Sequence, residues 1–139
     1  MNTLSVRNEL QTSKYCTEKL LVSCIDVDGT PLNDFTRVVT DLQQLQISTR
    51  QSGTFFILTC TCGDAGCAGF FRGILVQHTE TTIEWSILDH PSRLRLIFDA
   101  TAYRSAVERG IADAKEMLQR EIPRPSIMPE PRHLDYPLQ

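Results

Sequence analysis

Three of the five cysteines lie within eight residues, at Cys60, Cys62 and Cys67. They belong to the run Thr59–Gly69, TCTCGDAGCAG, with the spacing C-x-C-G-x-x-G-C. Cysteine thiolates bind metals and exchange electrons, whereas neutral thiols also pack as small core residues. The cluster therefore has three interpretations: a metal site, a redox or catalytic thiol group, or packing beneath a tight turn.

The metal interpretation favours zinc, which takes four ligands and accepts thiolates on short glycine-rich loops. Cys60 and Cys62 are two apart, so at a strand end they point to the same side, and the glycines let Cys67 approach them. We take His78 as the fourth ligand. A strand of eight residues spans ~26 Å, so His78 reaches the loop only if the strand bends back or the pairing is offset. The other candidates for the fourth ligand are Cys24, His90 and Asp64.

The elements that would position this loop are read from apolar patterning. Strand-like runs cover 3–10, 20–27 and 54–60. The second of these ends at the turn dipeptide Asp28-Gly29. Three more follow at 70–78, 81–88 and 93–99, with a hairpin turn at 78–81. The run 81–88 alternates cleanly around Trp85, which predicts a half-buried strand with Trp85 in the core.

Two helices are predicted. Asn33 or Asp34 can cap a helix running to about Leu45, with Val38 and Leu42 on its apolar face. A second helix covers about Thr101 to Glu121. Its buried face contains Tyr103, Val107, Ala114 and Leu118, and Gly110 near that face indicates a close contact with a sheet.

Together these elements predict an α+β domain over residues 1–121, with an antiparallel sheet of about five to six strands and two helices on one face. Residues 122–139 form a proline-rich C-terminal tail that contains five of the seven prolines. Its apolar residues predict a tail docked on a surface, its own or a partner's, rather than a solvated one.

Composition narrows the function classes. The 139 residues carry a net charge of −3 and no dense basic run, which argues against a nucleic-acid-binding surface. No apolar stretch approaches the ~20 residues of a membrane-spanning helix. The N-terminal residues lack the pattern of a secretion signal, so a reducing, cytoplasmic setting is expected, where cysteines are free thiols or ligands.

The run Ile57–Phe70, followed by a hairpin that carries Trp85, resembles small uncharacterised bacterial proteins with a C-x-C-G-x-x-G-C-x-G hairpin loop. The resemblance covers roughly residues 55–90. It implies the hairpin arrangement and no particular activity.

Two catalytic motifs are incomplete. Asp26-Val27-Asp28-Gly29-Thr30 is similar to the nucleophile motif of haloacid-dehalogenase-like phosphatases, but the only lysine after Thr59 is Lys115, inside the predicted second helix. His78-Thr79-Glu80 is similar to the H-x-E of zinc nucleobase deaminases, but every cysteine precedes the histidine, whereas that family's cysteines follow it. Neither motif predicts its chemistry here.

These observations favour a small non-enzymatic domain that binds another protein, of the immunity-protein, antitoxin or accessory-subunit type. Zinc at Cys60, Cys62, Cys67 and His78 would be its only cofactor. No nucleic acid or membrane partner is expected, and homo-oligomerisation is left open. The alternative is a thiol- or zinc-dependent enzyme that uses the same three cysteines.

Overall fold

A computed structural model describes residues 1–12, 19–32, 38–60, 72–89 and 94–128. The described elements, in chain order, are β1 (Leu4–Thr12), β2 (Lys19–Val27), β3 (Thr30–Pro31), β4 (Val38–Thr40), α1 (Leu42–Ser48), β5 (Gly53–Phe55), β6 (Leu58–Cys60), β7 (Ile74–His78), β8 (Thr82–Ile87), β9 (Leu94–Asp99), α2 (Ala100–Arg120) and β10 (Ser126–Met128). The predicted α+β class is confirmed in this part of the chain, with strand pairings that are mostly antiparallel.

The first sheet is built on the long antiparallel pair of β1 and β2, which are in register from Leu4↔Val27 to Thr12↔Lys19. After β2 the chain reverses at Asp28 and Gly29, whose φ values of 52° and 81° suit the tight turn that an Asp-Gly pair favours. β3 then pairs back onto the end of β2. The predicted strands over 3–10 and 20–27 and the Asp-Gly turn are confirmed.

The second sheet has the order β5-β7-β8-β9, and all its neighbours are antiparallel. One face is buried against the core, where Trp85 is fully enclosed. Its ring meets Phe98 and Tyr103 edge-on at centroid distances of 5.2 and 6.0 Å. The prediction that Trp85 belongs to the core is confirmed, and the hairpin at 78–81 joins β7 to β8 as expected.

The predicted single sheet of five to six strands is wrong. The described residues contain ten strands, and β4 and β6 form a separate two-stranded pair. The run 54–60 is divided between β5 and β6, and Phe56 and Ile57 lie between the two strands. The part before these two residues pairs with β7, and the part after them pairs with β4. An apolar pattern alone does not show that a continuous run changes partner halfway.

Asn2 links the two larger sheets. Its backbone N–H donates to the Ile97 carbonyl at 2.6 Å, and its side-chain oxygen accepts from the Ile97 N–H at 2.9 Å. Residues just before β1 therefore continue along the edge of β9, and the core lies under both sheets.

The predicted first helix begins too early. Val38, Val39 and Thr40 form β4 instead, because these β-branched residues pair with 58–60 across the sheet. Asp41 caps α1, and its carboxylate accepts from the N–H groups of Gln43 and Gln44. The apolar face predicted for one helix therefore included Val38, which belongs to β4, together with Leu42 and Leu45, which belong to α1. Residues 33–37, which include the predicted caps, lie outside the described residues.

The long helix α2 matches its prediction. Tyr103, Val107, Ala114 and Leu118 are all buried. At Gly110 the helix approaches β1 so closely that a Cβ there would lie 2.6 Å from the Cβ of Val6. Asn8 reaches across from β1 and donates to the Gly110 carbonyl at 2.8 Å. The predicted close contact between helix and sheet is confirmed. No helix in the described ranges is long and apolar enough to cross a membrane.

After α2, residues 121–125 lead to β10, which pairs in parallel with β2. Ile127 is partly buried and packs against the core. Residues 129–139 lie outside the described part of the chain, so the docked tail over 122–139 stays a prediction.

Candidate functional site

The cysteine loop leaves the fold at Cys60, the last residue of β6. Cys60 is buried, and its backbone pairs with Val38 of β4. Cys62 and Cys67 lie outside the described residues. Thr59, next to Cys60, has a buried hydroxyl with no hydrogen-bond partner among the residues the structure describes.

His78, the predicted fourth ligand, ends β7 at the hairpin. The loop rejoins the described chain at Arg72, and β7 then runs away from it, so His78 lies four residues, ~13 Å, beyond Ile74. Its ring Nε2 lies 2.7 Å from the Ser48 carbonyl oxygen. Since a carbonyl only accepts, Nε2 is the protonated nitrogen and Nδ1 is the nitrogen available to a metal.

Within the described ranges, no three His, Cys, Asp or Glu side chains come together as a metal site. Two of the predicted ligands lie outside those ranges. The zinc site at Cys60, Cys62, Cys67 and His78 therefore stays a prediction.

The other described thiol, Cys24, lies beneath an ion pair. Arg7 of β1 donates to both carboxylate oxygens of Asp26 at 2.5 and 2.9 Å, and its Nη2 lies 3.6 Å from the Cys24 sulfur. Cys24 is fully buried, and Asp26 is largely buried. A two-pronged arginine–carboxylate contact of this kind fixes geometry, and it pins the middle of β1 onto β2.

The carboxylate of Asp28 also joins the chain to its N-terminal residues. It accepts from the Asn2 side chain and from the Thr3 N–H, both at 2.7 Å. Two hydrogen bonds hold the pKa of Asp28 below its ordinary value. The bond from Asn2 has the larger effect and the bond from Thr3 the smaller. Both aspartates of the phosphatase-like motif therefore make contacts that join β1 and the residues before it to β2 and its turn.

An exposed apolar surface lies where the second sheet meets the cysteine loop. It consists of Phe56, Leu75 and Leu88, which we call the apolar corner. Their exposed fractions are 42%, 37% and 44%. Extending the strand register by one residue places Phe56, Gly73 and Leu88 in one row across β5, β7 and β8, and Leu75 lies two residues along β7 from Gly73.

Gly73 keeps the middle of this corner flat. Its φ of +69° is a left-handed conformation that side chains disfavour. A Cβ there would lie 3.1 Å from the methyl group of Thr54 and 3.3 Å from the ring of Phe56. The Phe56 ring therefore lies close over the glycine, and the corner has no side chain projecting from its centre.

Two ion pairs border the apolar corner. Arg72 pairs with Asp89, and Arg95 pairs with Glu84. The arginine side chains are 64% and 67% exposed, whereas those of their acidic partners are 14% and 20% exposed. The guanidinium groups are thus the charges that a docking molecule would meet first.

This surface is not predicted by the sequence pattern. Residues 55–58 are apolar without interruption, and Leu75 stands on the opposite face of β7 from Ile74 and Val76. Apolar residues on both faces of a short strand were the available signal. That signal is weak because a fully buried strand has the same pattern.

Comparison with protein-family models, with curated proteins and with solved structures gives no match for this chain.

Proposed function

We propose that this chain is a small protein-binding domain without catalytic chemistry, of the immunity-protein, antitoxin or accessory-subunit type. The observation that supports it is the apolar corner. Of the five large apolar side chains that are exposed in the described residues, three are placed near one another by the register of β5, β7 and β8. Clustered apolar exposure is typical of interaction sites, whereas single exposed residues are ordinary.

The charges around the apolar corner indicate which charge the partner's surface should carry. An apolar centre bordered by the exposed guanidinium groups of Arg72 and Arg95 suits a partner protein with an apolar patch and an acidic rim. A second copy of this chain would bring arginines against arginines if the two corners met, which is unfavourable. We therefore propose a different protein as the partner.

Zinc bound in the cysteine loop is part of the same proposal, as a structural element beside the corner. Phe56 precedes the loop by four residues and Arg72 follows it directly. A metal that fixed the loop would fix the surface that it borders.

The test begins with affinity capture from the source organism by the wild-type protein, identification of the captured protein, and reconstitution of the complex from two purified proteins. Leu75→Lys and Leu88→Lys should each raise the dissociation constant at least tenfold, since a central apolar contact typically contributes more than about 1.4 kcal/mol to binding. Arg72→Glu should weaken binding and reduce its salt dependence.

Ile122→Ser is the matched control, because Ile122 is 93% exposed and lies outside the corner. It should change the dissociation constant by less than about twofold. Recovery of no partner, a complex insensitive to both lysine variants, or self-association of the wild type through the corner would overturn the proposal.

A further inference from the structure

The second edge of β2 is occupied by short segments. Its first edge pairs with β1 along all nine residues. On the other edge, β10 covers Leu20–Val22 and β3 covers Asp26 and Val27. Because β2 is buried over most of its length, its backbone groups need hydrogen-bond partners from protein.

β10 is a minimal strand. It contributes three residue pairs, Ser126↔Leu20, Ile127↔Leu21 and Met128↔Val22, against nine for β1. The pairing is parallel, which is slightly less stable per residue than antiparallel pairing. Among the described residues, little backbone contact would therefore be lost if β10 left its place.

One apolar side chain anchors β10. The register places Ile127 in a row with Leu21 of β2 and Leu10 of β1, and all three pack with the core. Pro125 is buried just before the strand. The edge of β2 thus binds an extended segment in which a proline is followed, two positions later, by an aliphatic residue.

The connection from α2 is able to release β10 while the helix stays in place. Glu121 pairs with Lys19 at 3.2 Å, which ties the end of the helix to the start of β2. Beyond that pair, Ile122 is 93% exposed, and Pro123 and Pro125 disfavour any regular helix. A detached segment would stay extended and solvated.

We infer that the edge of β2 at Leu20–Val22 is a binding site for an extended peptide of another protein, with an aliphatic residue two positions after a proline, and that β10 occupies this site as an intramolecular competitor. Added strands of this kind gain affinity from backbone hydrogen bonds and specificity from the pocket that holds a side chain. The inference does not depend on the apolar corner.

The competition follows from the short connection. A segment tethered by a few residues has an effective concentration of the order of millimolar at its own site. An external peptide therefore binds only when it outcompetes that local concentration, or when β10 is weakened.

The test uses the full-length protein and a fluorescent synthetic peptide with the sequence of residues 122–130, IPRPSIMPE. Ile127→Asp should release β10, so the variant should bind the peptide at least tenfold more tightly than the wild type does. The same peptide with aspartate in place of its second isoleucine should not bind the variant. Ile122→Asp is the matched control in the same segment and should behave as the wild type.

Equal peptide binding by the wild type and Ile127→Asp, or no binding by a folded Ile127→Asp protein, would overturn the inference. Hydrogen exchange on the wild type tests it independently of the variant's folding. Whichever amides of Ser126, Ile127 and Met128 bond to β2 should exchange through local opening, at least a hundredfold faster than the hydrogen-bonded amides of the β1–β2 pair. Exchange of these amides only through global unfolding would also overturn it.

Discussion

The side-chain oxygens of Ser48 and Tyr103 lie 2.6 Å apart in the core and join α1 to α2. The Ser48 hydroxyl donates to the Leu45 carbonyl at 2.5 Å, and the Trp85 indole N–H donates to the Tyr103 oxygen at 3.2 Å. Tyr103 therefore donates to Ser48, and the polar side-chain atoms of Ser48, Tyr103 and Trp85 all have partners. Burial raises the pKa of Tyr103 well above its usual value, so the hydroxyl keeps its proton.

Breaking this chain should cost stability in a non-additive way. Tyr103→Phe leaves the Trp85 N–H without an acceptor, and Ser48→Ala leaves the Tyr103 hydroxyl without one. Each should lower the free energy of unfolding by about 1–3 kcal/mol. The double variant should lose about 1 kcal/mol less than the sum, because Tyr103→Phe already removes the donor that Ser48→Ala would leave unpaired. Denaturant unfolding of the four proteins measures this, and strict additivity would contradict the hydrogen bond between Ser48 and Tyr103.

Gly110→Ala should destabilise the protein although alanine is the better helix former. Helix propensity alone predicts a gain of ~0.8–1 kcal/mol. The added Cβ would lie 2.6 Å from Cβ and Cγ1 of Val6, however, so β1 and α2 must move apart, at a net cost of about 1–3 kcal/mol. In a Val6→Gly background, which removes both the Cβ and the Cγ1 of Val6, the same substitution should be much less destabilising. An equal loss in both backgrounds, measured by denaturant unfolding, would place the strain elsewhere.

The Asp28 carboxylate should contribute an acid-sensitive part of the stability. Its pKa is lower in the folded protein than in the unfolded chain, so its contribution is present above the unfolded pKa of about 3.9 and is lost as the pH falls through the folded pKa. Asp28→Asn keeps an acceptor and a residue that tolerates the positive φ, but it does not titrate. The stability difference between the two proteins should therefore narrow as the pH falls below about 4, as seen in urea unfolding at a series of pH values. A difference that stays constant with pH would contradict the role of charge.

Zinc in the cysteine loop is tested by elemental analysis of untagged protein purified without chelator. We expect about one equivalent of zinc, loss of the metal in Cys62→Ser, weaker retention in His78→Ala, and full retention in Cys16→Ser as the matched control. A chelator should lower the melting temperature without unfolding the protein, because a domain of this size has a core of its own. His78→Ala also removes the contact with the Ser48 carbonyl, so its readout is metal content rather than stability.

Less than about a tenth of an equivalent of metal would contradict the zinc site. Freely titrating but unreactive thiols would then support packing beneath the turn. A thiol of unusually high reactivity without metal would favour the thiol-dependent enzyme instead.

Local patterning predicted the elements that depend on neighbours in sequence. The alternation around Trp85, the Asp28-Gly29 turn and the buried face of α2 each follow from residues a few positions apart. Pairing between distant segments was harder to predict. Val38–Thr40 became a strand only because residues 58–60 lie beside them, and the run 54–60 divides between two partners.

The candidate site was predictable to a smaller degree. The sequence analysis identified the cysteine cluster, because ligand chemistry can be read from residue type and spacing. It did not identify the apolar corner, because Phe56, Leu75 and Leu88 come from three strands and become neighbours only through the register of β5, β7 and β8. A surface assembled from separate strands has no signature in any one of them.

The link that Asn2 makes with Ile97 has a consequence for synthesis on the ribosome. The two residues are 95 positions apart, and the Asn8–Gly110 contact spans 102. At about 5–20 residues per second, the N-terminal hairpin waits roughly 5–20 s for the partners that cover it. During that interval the apolar face of β1 and β2 is open to nascent-chain chaperones, so translation speed through residues 28–110 should influence the yield of folded protein.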